Sequence, residues 1–174
     1  EVGGKRMPIK FSVKMKTEYM YDFMLYHNYT HASGLMSAIA GVLCFAVFLT
    51  KMNNGDATTS LVWLMCAILF LIINPQNMKS RAKMQVKNTP MFQKPLEYEV
   101  HEEGITIRQD DQEVQNAWGD FTKAVSTGKS VLLYMGRIRA LVLPKECMGE
   151  QYEEVLKMIH THMPPKMVKI RHIH

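Results

Sequence analysis

Two long uncharged apolar runs dominate the pattern of this chain. The first, ASGLMSAIAGVLCFAVFLT (32–50), contains no Asp, Glu, Lys, Arg or His. The second extends from Ala57 to Met78 and is apolar without a break from Leu61 to Ile73. At about 1.5 Å per residue, either run as a helix crosses most of a bilayer core about 30 Å thick. The polar joint KMNNGDATTS between them suits two antiparallel neighbours. The pattern predicts a transmembrane helical hairpin over 32–78, with Pro75 ending the second helix. A buried hairpin in a soluble protein is the alternative, because both runs lie near the short end of the spanning range.

Around the hairpin the period changes. In PIKFSVKMK (8–16), Ile9, Phe11, Val13 and Met15 alternate with Lys10, Ser12, Lys14 and Lys16, the mark of a half-buried strand. One strand cannot stand alone, so it must join a sheet elsewhere in the chain. Residues 17–31 read as a helix, with Thr17 as N-cap and an aromatic row of Tyr19, Phe23 and Tyr26. Tyr rings favour the headgroup level, so this helix is expected to lie at a membrane interface. Residues 79–95 read as a basic linker.

From residue 96 onward short alternating runs are separated by turn signals. Strands are expected at Leu96–His101, Ile105–Gln109, Glu113–Trp118, Phe121–Ser126, Ser130–Met135 and Ile138–Leu143, with Gly136-Arg137 as a two-residue hairpin turn. Glu150–Met163 is an amphipathic helix whose apolar row is Tyr152, Val155, Leu156, Ile159 and Met163. Pro164-Pro165 stops it, and 164–174 reads as a loose basic tail. With the N-terminal strand the sheet reaches seven. The fold class expected is therefore an α+β membrane protein. A two-helix transmembrane hairpin is inserted near the N-terminus of a pleckstrin-homology-like antiparallel sheet, which spans 96–163 and is capped by a C-terminal helix.

Charge adds an orientation. Five Lys/Arg lie between Glu1 and His31, one in the joint (Lys51), and five between Pro75 and Pro95. Basic outer flanks fit the positive-inside rule, with both termini cytoplasmic in a multi-pass protein of the cell membrane. Lys79, Arg81, Lys83 and Lys87 are candidate membrane-surface contacts. Residues 96–163 carry seven Lys/Arg and twelve Asp/Glu, net −5, against a whole-chain charge of +5. The basic surplus thus belongs beside the membrane rather than on a nucleic-acid-binding face. The three Cys form no CxxC or Cys/His spacing, so no disulfide framework or zinc site is expected. The fifteen Met indicate no particular function. Residues 1–6 precede Met7 and are set aside from the fold.

No nucleophile elbow, phosphate loop or metal helix is present, so neither an enzyme nor a cofactor is expected. Glu102-Glu103 and Asp110-Asp111 sit at turns, where solvated acids belong. Trp118 reads as core. His27 and His31 lie four apart without a third ligand, and His160 and His162 point differently on their helix. Tyr134, Arg137 and Arg139, on or beside one hairpin, form a candidate ligand or partner face. In the first apolar run, Ser33, Ser37 and Gly41 make a row of small residues. That row suits packing against the second run or, alternatively, a homodimer.

The chain resembles the YcxB-like family of bacterial membrane proteins. The resemblance is carried by FxVKMKTEYMYDFMLYH (Phe11–His27), Gly34 and Asn74-Pro75. It continues in EEGITI (Glu102–Ile107), AWGDFTKAV (Ala117–Val125) and RALVLPK (Arg139–Lys145). It implies a pleckstrin-homology-like C-terminal domain and a place in the bacterial inner membrane, and it supplies no catalytic motif. The function expected is a non-enzymatic interaction module docking an unknown protein partner. The alternatives are a module binding anionic lipid of the inner leaflet and an accessory subunit of a transport or signalling complex.

Overall fold

The structure is a computed structural model that describes residues 7–170, apart from the side chain of Ser33. Residues 1–6, set aside above, and the last four residues of the tail lie outside the described residues. The described residues divide into two compact units, one of residues 7–23 with 85–170 and one of residues 24–84.

The first unit begins with β1 (Ile9–Val13), whose alternate residues Ile9, Phe11 and Val13 are buried. α1 (Thr17–Thr30) follows, then α2 (Ala32–Asn53) and α3 (Ala57–Asn88). The chain then returns through a 3-10 turn at Pro90–Phe92 to a meander. Its strands are β2 (Leu96–His101), β3 (Gly104–Gln109), β4 (Gln112–Ala117), β5 (Lys123–Ser126), β6 (Ser130–Met135) and β7 (Arg139–Pro144). A short helix α4 (Lys145–Met148), the amphipathic α5 (Tyr152–His162) and β8 (Val168–Lys169) complete it.

The strands form two four-stranded sheets, ordered β1-β2-β3-β4 and β7-β6-β5-β8. β1 pairs antiparallel with β2, Phe11 opposite Tyr98, although α1 to α3 separate the two strands in sequence. The aromatic rings of that pair stack at 5.5 Å. Apolar residues of both sheets meet under α5, which contributes Val155, Leu156, Met158 and Ile159 to one core. Gly104 admits β4 to close range, since a Cβ there would collide with the Asn116 carbonyl.

Two expectations for this unit change. The segment expected as a loose tail forms β8, parallel to β5 with Val168 opposite Ala124, and Ile170 is buried. A two-residue strand is too short to leave a period in the sequence. The first turns of α1 dock on the domain rather than lying free at an interface. Tyr19 is 2% exposed, and its hydroxyl donates to Glu146, which also takes Lys16 at 3.3 Å. Lys129 donates to Glu18 at 2.6 Å, and Thr127 donates to Asp22. The Tyr19 and Lys16 bonds hold Glu146 below its ordinary value, and Lys129 does the same for Glu18.

The second unit holds the end of α1, α2 and most of α3. Both long helices are apolar enough to cross a membrane, and only 11% of either apolar window is buried. Leu35, Val42, Leu43, Leu61, Val62 and Met65 are all more than half exposed. A core helix of a soluble protein would hide such residues. α3 does not end at Pro75. It runs on to Asn88 because a π turn at Leu69–Ile73 precedes the proline. There the Asn74 amide reaches back to Leu69, which opens the ladder where proline lacks an amide and its ring needs room. The small-residue row faces α3 inside the hairpin. Asn74 donates to the Ser37 hydroxyl at 2.8 Å, and a Cβ on Gly41 would meet Leu71. Ser37 and Gly41 therefore pack against the chain's own second helix; the side chain of Ser33 lies outside the described residues. Gly34 sits against the Asn28 carbonyl across the α1–α2 corner, where no larger residue fits.

Candidate functional site

The domain carries a groove of about 360 Å³. Met15 after β1, Met20 and Phe23 on α1, and Met91 and Phe92 before β2 line one side. Met135 and the run Ile138–Val142 line the other, over a floor that includes Leu96, Tyr98 and Ile107. These residues meet because β1 pairs with β2, which brings both ends of the long connection beside the β6–β7 hairpin. Burial raises the Tyr98 hydroxyl above its ordinary value, so it stays protonated. Among the described residues, Gln85 and Arg139 are the other polar residues of the lining, which holds no Asp, Glu, His, Cys, Ser or Thr. Such a surface can bury apolar groups and set an anion beside a guanidinium. It has no group suited to nucleophilic attack or to carboxylate or imidazole acid–base work.

The hairpin differs from the two-residue turn expected. Met135 pairs with Arg139, so Gly136, Arg137 and Ile138 form a three-residue loop, with Gly136 at φ +80°. Ile138, expected to begin the returning strand, stands in the loop and is 75% exposed. Arg137 and Arg139 flank it, both exposed. Tyr134 does not join them. It is 5% exposed, its ring 6.2 Å from Phe23 and beneath the Lys123 ammonium at 5.6 Å. It is a packing residue under α1, not part of a ligand face.

Lys79, Arg81, Lys83 and Lys87 lie on α3 and are all exposed. Lys79, Lys83 and Lys87 recur every four residues along one stripe, and Arg81 points away from it. Trp118 is core. Its indole donates to the His101 carbonyl at 3.0 Å, and its ring stacks on His162 at 5.3 Å, itself 2.8 Å from Glu102. Glu99 and Glu113 are drawn together by Arg108, at 2.6 and 2.7 Å. His27 and His31 stack at 4.2 Å, and among the described residues no three metal-ligating side chains converge. Burial pushes the Cys147 thiol above its ordinary value, which keeps it from acting as a thiolate.

Fold and site define an α+β domain of antiparallel sheets that carries two long apolar helices between its first two strands. Residues 100–159 match the family described as YcxB-like protein. The chain is similar to that family over this segment, which contains all of EEGITI, AWGDFTKAV and RALVLPK, while β1 and the apolar helices lie outside it. No curated protein and no solved structure matches the chain.

Proposed function

We propose that the protein is a non-enzymatic module of the bacterial inner membrane whose pleckstrin-homology-like domain docks a protein partner at the cytoplasmic face. The observation that carries this reading is the apolar groove beside a hairpin that exposes Ile138 between two arginines. Two sheets of meander strands closed by a C-terminal helix support the pleckstrin-homology-like assignment. The exposed apolar surface of α2 and α3 needs a bilayer to cover it. The five, one, five distribution of Lys/Arg supports cytoplasmic termini. Anchoring in one membrane raises the effective concentration of partners in that membrane, so a shallow groove suffices. An accessory subunit of a larger complex would work in the same way.

A photo-crosslinking residue at Ile138 in living cells tests the docking reading. It should trap a discrete protein adduct that Arg139→Glu diminishes, while the same probe at exposed Val114 on β4 should not. Equal trapping at both positions, or none at Ile138, would refute it. The exposed Arg-Ile-Arg loop is also the observation that favours the second reading, an anionic-lipid contact. On that reading a crosslinker at Ile138 would label lipid and no protein.

A further inference from the structure

We propose that the groove is a methionine-bedded docking site for an amphipathic protein segment flanked by acidic residues. This rests on the docking reading above and specifies the chemistry of the partner. Met15, Met20, Met91 and Met135 come from separate stretches of the chain and converge on one surface. Met15 and Met20 are buried in its bed, while Met91 is 46% exposed at its edge. An unbranched, polarisable thioether repacks around ligand side chains of different shapes, so a bed of four suits aliphatic and aromatic groups presented along a segment.

The mouth supplies the polarity. Residues 96–163 are net −5, yet the β6–β7 hairpin beside the groove carries Arg137 in its loop and Arg139 at the start of β7. Among the described residues neither arginine makes an ion pair, whereas Arg108 on β3 is held by two glutamates. Carboxylates of a docked segment would complete this pair with charge-assisted bonds, while its apolar residues lie on the methionines.

The full chain in neutral detergent tests this by fluorescence anisotropy. The probes are two short synthetic amphipathic peptides with the same Leu/Phe face, one flanked by Glu and one by Lys. The Glu peptide should bind at least about tenfold more tightly, with a margin that shrinks as salt rises. Arg137→Glu combined with Arg139→Glu should reverse the preference, and Met91→Gln should weaken both peptides. All three positions are exposed, and unchanged Trp118 fluorescence in a Trp63→Phe background checks the fold. No preference, or a preference that survives the double reversal, overturns the proposal. Binding of phosphatidylglycerol vesicles through the same arginines, without peptide binding, overturns it in favour of lipid. If the Glu peptide fails while the Ile138 crosslink to a protein persists, only the acidic-segment chemistry falls. If both fail, the docking reading falls too.

Discussion

Replacing Phe11 with alanine measures how far the C-terminal domain depends on a strand that lies before the apolar helices. Phe11 is 7% exposed in β1, opposite Tyr98 in register and stacked on it at 5.5 Å. Loss of a buried Phe side chain costs about 3–5 kcal/mol, and the aromatic pair accounts for about 0.5–1.5 kcal/mol of that. At a urea dependence of about 1.5 kcal/mol per molar, a loss of about 3 kcal/mol lowers the unfolding midpoint by about 2 M. Trp118, buried against His162, reports unfolding once Trp63 is replaced by Phe. Leu156→Ala, in α5 on the same core, should cost a comparable amount, about 2–5 kcal/mol. Lys10→Ala is the control. Its ion pair with Glu99 spans 3.7 Å at an exposed site and is worth less than about 1 kcal/mol. If Phe11→Ala shifts the midpoint no more than Lys10→Ala does, β1 is not part of the domain core, and the sheet begins at β2.

Other outcomes follow from the same structure. Glu18 and Glu146 are held below their ordinary value of 4.5, so their contribution to docking α1 is complete above that pH and is lost as pH falls through their lowered values. Hydrogen-exchange protection factors in the first turns of α1 should therefore fall on acidification before those of β6 do; simultaneous loss would refute a local clasp. Gly34→Ala should lower the thermal stability of the hairpin in detergent by about 1–3 kcal/mol, because the new methyl meets the Asn28 carbonyl. Gly128→Ala, with open space around it, should change little. On the proposed orientation, a Cys at Asn54 should react with an impermeant reagent on intact cells and one at Gly128 should not. The opposite pattern inverts the topology.

The fold was legible wherever one face of an element meets core and the other meets water. β1 announced itself by strict alternation and α5 by its apolar row, and both rows are buried except for the half-buried Tyr152. Legibility failed where two physical causes leave the same mark. Tyr19 on α1 reads as a headgroup aromatic, yet an apolar ring with a polar tip serves equally well at a domain surface, where its hydroxyl finds Glu146. Pro75 reads as a helix end because proline removes an amide. A π turn just ahead of it satisfies the same constraint inside a longer helix, and nothing in LFLII signals that turn.

The site was half legible for a related reason. Arg137 and Arg139 stand at a turn, and charged residues at a turn face water. Tyr134 lies on β6, where residues Ser130 to Tyr134 are all buried, so the period of two vanishes and gives no facing. The reason is a second layer: one side of β6 meets the core, and α1 brings Phe23 over Tyr134 on the other. A run covered on both faces reads as uniformly apolar, and which residue reaches solvent then depends on packing from elsewhere in the chain. The methionines carry this to its limit. Met15 belongs to an alternating strand, Met20 to a helix, Met91 to a linker and Met135 to a strand end, and each reads locally as ordinary filling. They become one surface only because β1 pairs with β2 although the helical segment separates the two strands in sequence. A high methionine count is therefore silent until a long-range strand pairing gives it a location, and that pairing is the contact Phe11→Ala is designed to break.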